Sequence, residues 1–103
     1  MSDPTYVTAF EDHAKRASVG LPGAVVRDLP FGVDEELGVR RSDGGGVAVA
    51  VDPDRSDPSA VVRETEQGVR LYLDRMTVYE AGLLDGEVEL AVREGGLHVS
   101  PVE

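Results

Sequence analysis

Between Gly68 and Leu90 the chain reads GVRLYLDRMTVYEAGLLDGEVEL, and the spacing of its apolar residues leaves little freedom in how it can fold. Val69, Leu71 and Leu73 alternate with Arg70 and Tyr72, the period-two pattern of a strand with one buried face and one wet face. Asp74 breaks the alternation where its carboxylate can accept from the free N–H groups of a first helical turn. Met76, Tyr79 and Leu83 then follow at helical spacing. The spacing predicts a short helix from Met76 to Leu84. Asp85-Gly86 stops it, since glycine tolerates the positive φ of a turn, and Val88, Leu90 and Val92 resume the alternation against Glu87, Glu89 and Arg93. A strand, a short one-sided helix and a second strand organise this half of the chain.

Thr5 to Ser18 reads as a helix with Pro4 at its first turn. Tyr6, Phe10, Ala14 and Ala17 make an apolar stripe, and Glu11, Asp12, Lys15 and Arg16 stay outside. Gly20 ends it. Leu21 to Glu36, broken by Pro22 and Pro30, is a connecting segment with room for a short strand at Ala24 to Arg27. Leu37 to Arg41 is a strand and Ser42 to Gly46 a turn. Val47 to Val51, with small and branched residues on both faces, suits the middle of a sheet. Asp52 to Ser59, carrying Pro53 and Pro58, is a loop. Ala60 to Thr65 and Gly68 to Asp74 form an antiparallel hairpin through Glu66-Gln67-Gly68. After Glu94-Gly95-Gly96 the last strand runs from Leu97 to Ser100, and Pro101 forbids further ladder bonding. No internal repeat is apparent. The expected fold is α+β, a single domain over residues 1–103. It has a small mixed, mainly antiparallel sheet, an N-terminal helix packed on one face, and one short helix between strands at an edge.

Twenty acidic against ten basic residues give a net charge of −10, and Lys15 is the single lysine. Such a surface repels phosphates, which argues against nucleic acid and anionic membranes as partners. Acidic, lysine-poor surfaces suit a cytoplasm of molar salt, and a GC-rich coding bias produces the same exchange of Lys for Arg. Both origins stay open. The absence of cysteine excludes disulfides and thiolate-ligated zinc or iron–sulfur sites. No apolar run approaches the roughly 20 residues that span a bilayer, and MSDPTYV carries no basic, hydrophobic leader, so the expected location is the cytoplasm.

The remaining motifs offer little chemistry. Gly44-Gly45-Gly46 lacks the following Lys-Ser or Lys-Thr of a phosphate loop and reads as a hairpin turn. Asp52, Asp54 and Asp57 alternate as in a calcium loop but lack its central glycine and terminal glutamate. His13, read as a surface helix residue, and His98, on a strand face, are too far apart in sequence to define a metal motif. No serine has the nucleophile-elbow context. Asp34, Glu35 and Glu36 form an acidic run that reads as a solvated loop or as a docking point for a basic partner. Tyr72 and Tyr79 are candidate contact residues because tyrosine is favoured at interfaces.

The order of short motifs resembles the A-type iron–sulfur carrier, or HesB-like, domain. The matching pieces are Leu37-Gly38-Val39-Arg40, Gly44-Gly45-Gly46, Val47 to Val51, the loop Asp52 to Ser59, Gly68 to Asp74, Thr77 to Gly86 and Leu97 to Pro101, about two thirds of the chain. The family's first ligand cysteine would fall near Val47, and its later pair would lie beyond Pro101, where no cysteine stands. The resemblance therefore implies a carrier scaffold without a cluster or any other cofactor. The expected function is a non-enzymatic accessory domain that binds a protein partner through Tyr72, Tyr79, Asp34, Glu35 and Glu36. The alternative is a small-molecule or metal site built on carboxylates such as Asp74, Asp85 and Glu87 in a groove between sheet and helix.

Overall fold

The computed structural model describes residues 5–42, 45–51, 59–93 and 96–102. The described strands are β1 (Thr5–Ala9), β2 (Glu11–Asp12), β3 (Arg16–Gly20), β4 (Glu36–Arg41), β5 (Val47–Ala50), β6 (Ser59–Thr65), β7 (Gly68–Asp74), β8 (Glu87–Arg93) and β9 (Gly96–Pro101). They form one antiparallel sheet in the order β1-β8-β9-β5-β4-β6-β7-β3-β2. Because β1 opens this order, β2 ends it and only Phe10 separates them in the chain, the two margins of the sheet are drawn together. β1 also lies beside β3, and the sheet curls into a nearly closed barrel. Val19, Leu37, Val49, Leu71, Leu90 and Val99 alternate inward and are almost wholly shielded from water, so the barrel interior is a filled core.

Two helices of six residues, α1 (Gly23–Asp28) and α2 (Arg75–Glu80), follow β3 and β7. Since β3 and β7 are antiparallel neighbours, their C-terminal ends point opposite ways and the helices leave from opposite ends of the barrel. Each buries a valine into the core, Val25 from α1 and Val78 from α2.

The α+β expectation is overturned: the protein is mostly antiparallel sheet, and the helix expected over Thr5 to Ser18 is replaced by β1, β2 and the start of β3. Tyr6 and Phe10 stand four residues apart, a spacing that fits one face of a helix and one face of a strand equally. Pairing with β8, Thr5↔Ala91 through Ala9↔Glu87, decides between them. The strand expected at Ala24 to Arg27 is α1 instead. The second helix stops at Glu80, short of Leu84, and lies at a barrel end rather than a sheet edge. Pro101 stays in register with Val88, and Val102 N–H carries the ladder on by donating to Glu87 O at 3.0 Å. The expected strands from Leu37, Val47, Ala60, Gly68, Val88 and Leu97 form as read. Asp43, Gly44 and the Asp52–Pro58 part of the loop lie outside the described residues.

A repeat hidden in the sequence emerges from the ladders. An offset of 52 residues carries Gly23–Asp28 onto Arg75–Glu80. It also carries the pair Glu11↔Ser18 onto Arg63↔Arg70, and Asp12↔Ala17 onto Glu64↔Val69. With one residue fewer, Leu37 falls on Val88, and its partner Ala60 corresponds to Thr8, the partner of Val88. One residue fewer again sets Val49 on Val99, so Val39↔Val49 corresponds to Leu90↔Val99. The two halves are thus related by a pseudo-two-fold axis that passes between β3 and β7 and between β5 and β9. Each half gives its hairpin to the other, since β4 of the first pairs with β6 of the second and β8 of the second with β1 of the first. Neither half has a core of its own.

Candidate functional site

With the interior filled, binding falls to the outer surface, where a groove of about 840 Å³ lies along the outward side of β3, β7 and β6 and runs up to α2. The ladders build its floor. Glu36, Val61 and Tyr72 are successive cross-strand partners on β4, β6 and β7, and Arg16 lines the groove from β3 beyond them, so Tyr72 sits in mid-floor, half-buried. At one end, the β3 residue Arg16 pairs with Asp74, and Lys15 precedes it. α2 supplies the wall with Met76, Thr77 and Glu80. The helix starts there because Asp74 is its N-cap, accepting from Thr77 N–H at 3.3 Å.

The carboxylates of the groove are engaged within the protein. Asp34 accepts from Arg63 Nη1 at 2.8 Å, and Asp74 is occupied by its capping bond. Glu80 receives Arg41, whose Nη2 donates to the Glu80 carbonyl at 2.7 Å and whose Nη1 lies 3.5 Å from its carboxylate. Glu36 has an interaction of its own as well. Lys15 and Arg16, by contrast, form no ion pair with a described residue. Beside the groove, Arg75 clasps Asp12. The hydrogen bond from the guanidinium, reinforced by its charge, holds the Asp12 carboxyl below its ordinary value, and the Asp12 carboxylate raises Arg75 in turn.

Of the sequence-derived contact residues, Tyr72, Asp34 and Glu36 meet at this groove. Tyr79 is on α2, exposed, one turn beyond Met76. Glu35 turns back to accept from Gly32 N–H at 3.0 Å. The acidic run is therefore partly consumed by local structure: Asp34 adopts φ 68° and its N–H donates to Val62 O at 2.7 Å. Of the carboxylates considered for a ligand or metal, Asp74 lines the groove while Asp85 and Glu87 do not. Among the described residues no three His, Asp or Glu side chains converge as metal ligands. The sequence reading passed over Lys15, Arg16, Arg63 and Met76. The scarcity of lysine was the one signal that could have drawn attention to Lys15.

A second polar cluster looks like chemistry and is not arranged for it. His13, which precedes β3 in a turn rather than lying on a helix, has Nε2 3.0 Å from Ser18 Oγ and 3.9 Å from Glu11 Oε2. A nucleophile–base–acid relay needs the acid on the other ring nitrogen. Arg70 Nε and Nη2 also donate to Ser18 Oγ at 3.2 and 3.1 Å, which fills both acceptor sites of the hydroxyl, and Ser18 is wholly buried. The cluster fastens β2 and β3 to β7. His98 Nε2 similarly meets Ser42 Oγ at 2.9 Å.

No protein-family model, curated protein or solved structure matches the chain. Among the described residues no helix is long and apolar enough to cross a membrane.

Proposed function

We propose that this protein is a non-enzymatic interaction domain whose protein partner docks in the groove beside α2. The observation that carries this reading is the placement of Tyr72 in mid-floor with Met76 exposed along the wall and Tyr79 one turn on. Tyrosine and methionine supply contact area and adaptable packing at interfaces, and here they sit on strands and a capped helix rather than on a loose loop. Among the described residues the barrel interior is packed with buried apolar side chains, and the saturated Ser18 hydroxyl lends no support to a hydrolytic site.

A photo-crosslinking residue placed at Met76, and separately at Glu89 on the far side of the barrel, tests this in extract of the native host at its own ionic strength. The expected result is a discrete crosslinked protein from position 76 that disappears when Tyr72→Ala is added, and none from position 89. Equal capture from both positions, or none from position 76, contradicts the proposal.

A further inference from the structure

We infer that the segment received by this groove is acidic, with its carboxylates read by Lys15 and Arg16 and its apolar side chains seated on Val61, Tyr72 and Met76. This rests on the groove being the docking site and adds what docks there. Two independent observations lead to it. The first is the state of the charges: Asp34 is paired with Arg63, the Glu80 carboxylate lies against Arg41, Asp74 caps α2 and Glu36 has an interaction of its own, whereas Lys15 and Arg16 form no ion pair with a described residue. Among the described residues of the groove, Lys15 and Arg16 are thus the cations without an ion pair, on a protein whose net charge is −10.

The second is the pseudo-two-fold axis, which supplies an internal control. The same offset of 52 residues carries the groove positions in the β2–β3 turn and on β3, β6, β7 and α2 to equivalents beside α1. There Lys15 becomes Gln67, Arg16 becomes Gly68, Arg63 becomes Glu11, Tyr72 becomes Gly20, Asp74 becomes Pro22 and Met76 becomes Ala24. A common scaffold explains what the two sites share, and it cannot explain three cations, an aromatic floor and a methionine wall gathered on one side only. From β4 to β3 the floor crosses three strand spacings, about 14 Å, which accommodates about four extended residues. An extended peptide with acidic and apolar side chains fits that span, whereas two cations without an ion pair among the described residues are a sparse reader for a polyphosphate chain.

A display library of random octapeptides, selected on the full-length protein and followed by fluorescence anisotropy of the enriched sequences, tests the inference. Enrichment in Asp and Glu beside apolar residues is expected. Lys15→Gln with Arg16→Gln should weaken binding at least tenfold, and Arg27→Gln with Arg93→Gln, the same change in net charge at exposed sites outside the groove, should change it less than threefold. Enrichment of neutral or basic peptides that still depend on Tyr72 would overturn the acidic partner and leave the groove standing. The inference also fails if the two double variants lose affinity equally, if no peptide is enriched, or if an oligo-dT octamer binds more tightly than the best peptide. If in addition position 76 crosslinks to nothing, the docking site falls with it.

Discussion

The guanidinium of Arg75 clasps the carboxylate of Asp12 through two bonds, 2.6 Å from Nε and 3.1 Å from Nη2, and so ties the first residue of α2 to the outermost strand of the sheet. Arg75 N–H also donates to Lys15 O at 3.3 Å, so the cationic end of the groove and its helical wall are joined at two points. The groove is held in shape by contacts between segments 63 residues apart in sequence.

This pair has a pH signature. Its folded-state carboxyl lies below the ordinary value of 3.8, so the stabilisation is present above that value and is lost as pH falls through the lower folded one. Asp12→Asn should therefore lower stability modestly at neutral pH and converge on the wild type below about pH 4, which flattens the acid limb of the stability curve. Carboxyl carbon NMR titration should show Asp12 ionising below the ordinary aspartate value of 3.8. An unshifted Asp12 would contradict the bond.

Leu71 pairs with Val19 beside the pseudo-two-fold axis and is fully buried, where cavity formation adds to lost transfer energy. Leu71→Ala should cost about 2–5 kcal/mol in urea unfolding. Because the hairpins are exchanged, the loss should appear as one transition for the whole chain. Two separate transitions would argue against a shared core.

Gly46 and Gly82 both adopt positive φ, 91° and 76°, but their surroundings differ. A Cβ on Gly46 would overlap the Val99 carbonyl oxygen, whereas nothing lies within 4 Å of one on Gly82. Gly82→Ala should cost about 1–2 kcal/mol, the ordinary penalty of a left-handed backbone. Gly46→Ala should cost clearly more, because β5 and β9 must also move apart. Equal losses in thermal unfolding would refute the close approach.

Salt should stabilise the fold. The net charge of −10 makes the native state self-repelling in dilute buffer, and raising ionic strength to about 1 M shrinks the Debye length to about 3 Å. The exposed ion pairs that salt weakens contribute only about 0–1 kcal/mol each. The thermal midpoint is expected to rise between dilute buffer and molar KCl. A flat or falling midpoint would mean that local pairs outweigh the global repulsion, and would favour coding bias over salt as the origin of the acidity.

The strands from Leu37 onward were legible because period-two alternation and turn chemistry agree locally, as at Glu66-Gln67-Gly68. The Asp74 cap was legible for the same reason. β1 was not, because its four-residue apolar spacing suits helix and strand alike and only the distant β8 resolves it. The repeat was hidden because few equivalent positions keep the same residue, Leu21 with Leu73 and Val26 with Val78 among them, while the ladders keep the register. Three of the five contact residues named from sequence do line one groove. Their cationic neighbours come from the β2–β3 turn, the start of β3 and β6, and no local pattern announces that the barrel brings these together.

The most direct measurement is an amide chemical-shift map of the labelled full-length protein, titrated with the partner segment captured from position 76. Perturbations should cluster at residues 15–16, 72 and 74–80 and spare the equivalent positions 67–68, 20 and 22–28. Equal perturbation on both sides of the pseudo-two-fold axis, or a cluster away from α2, would show that the groove is not the binding site.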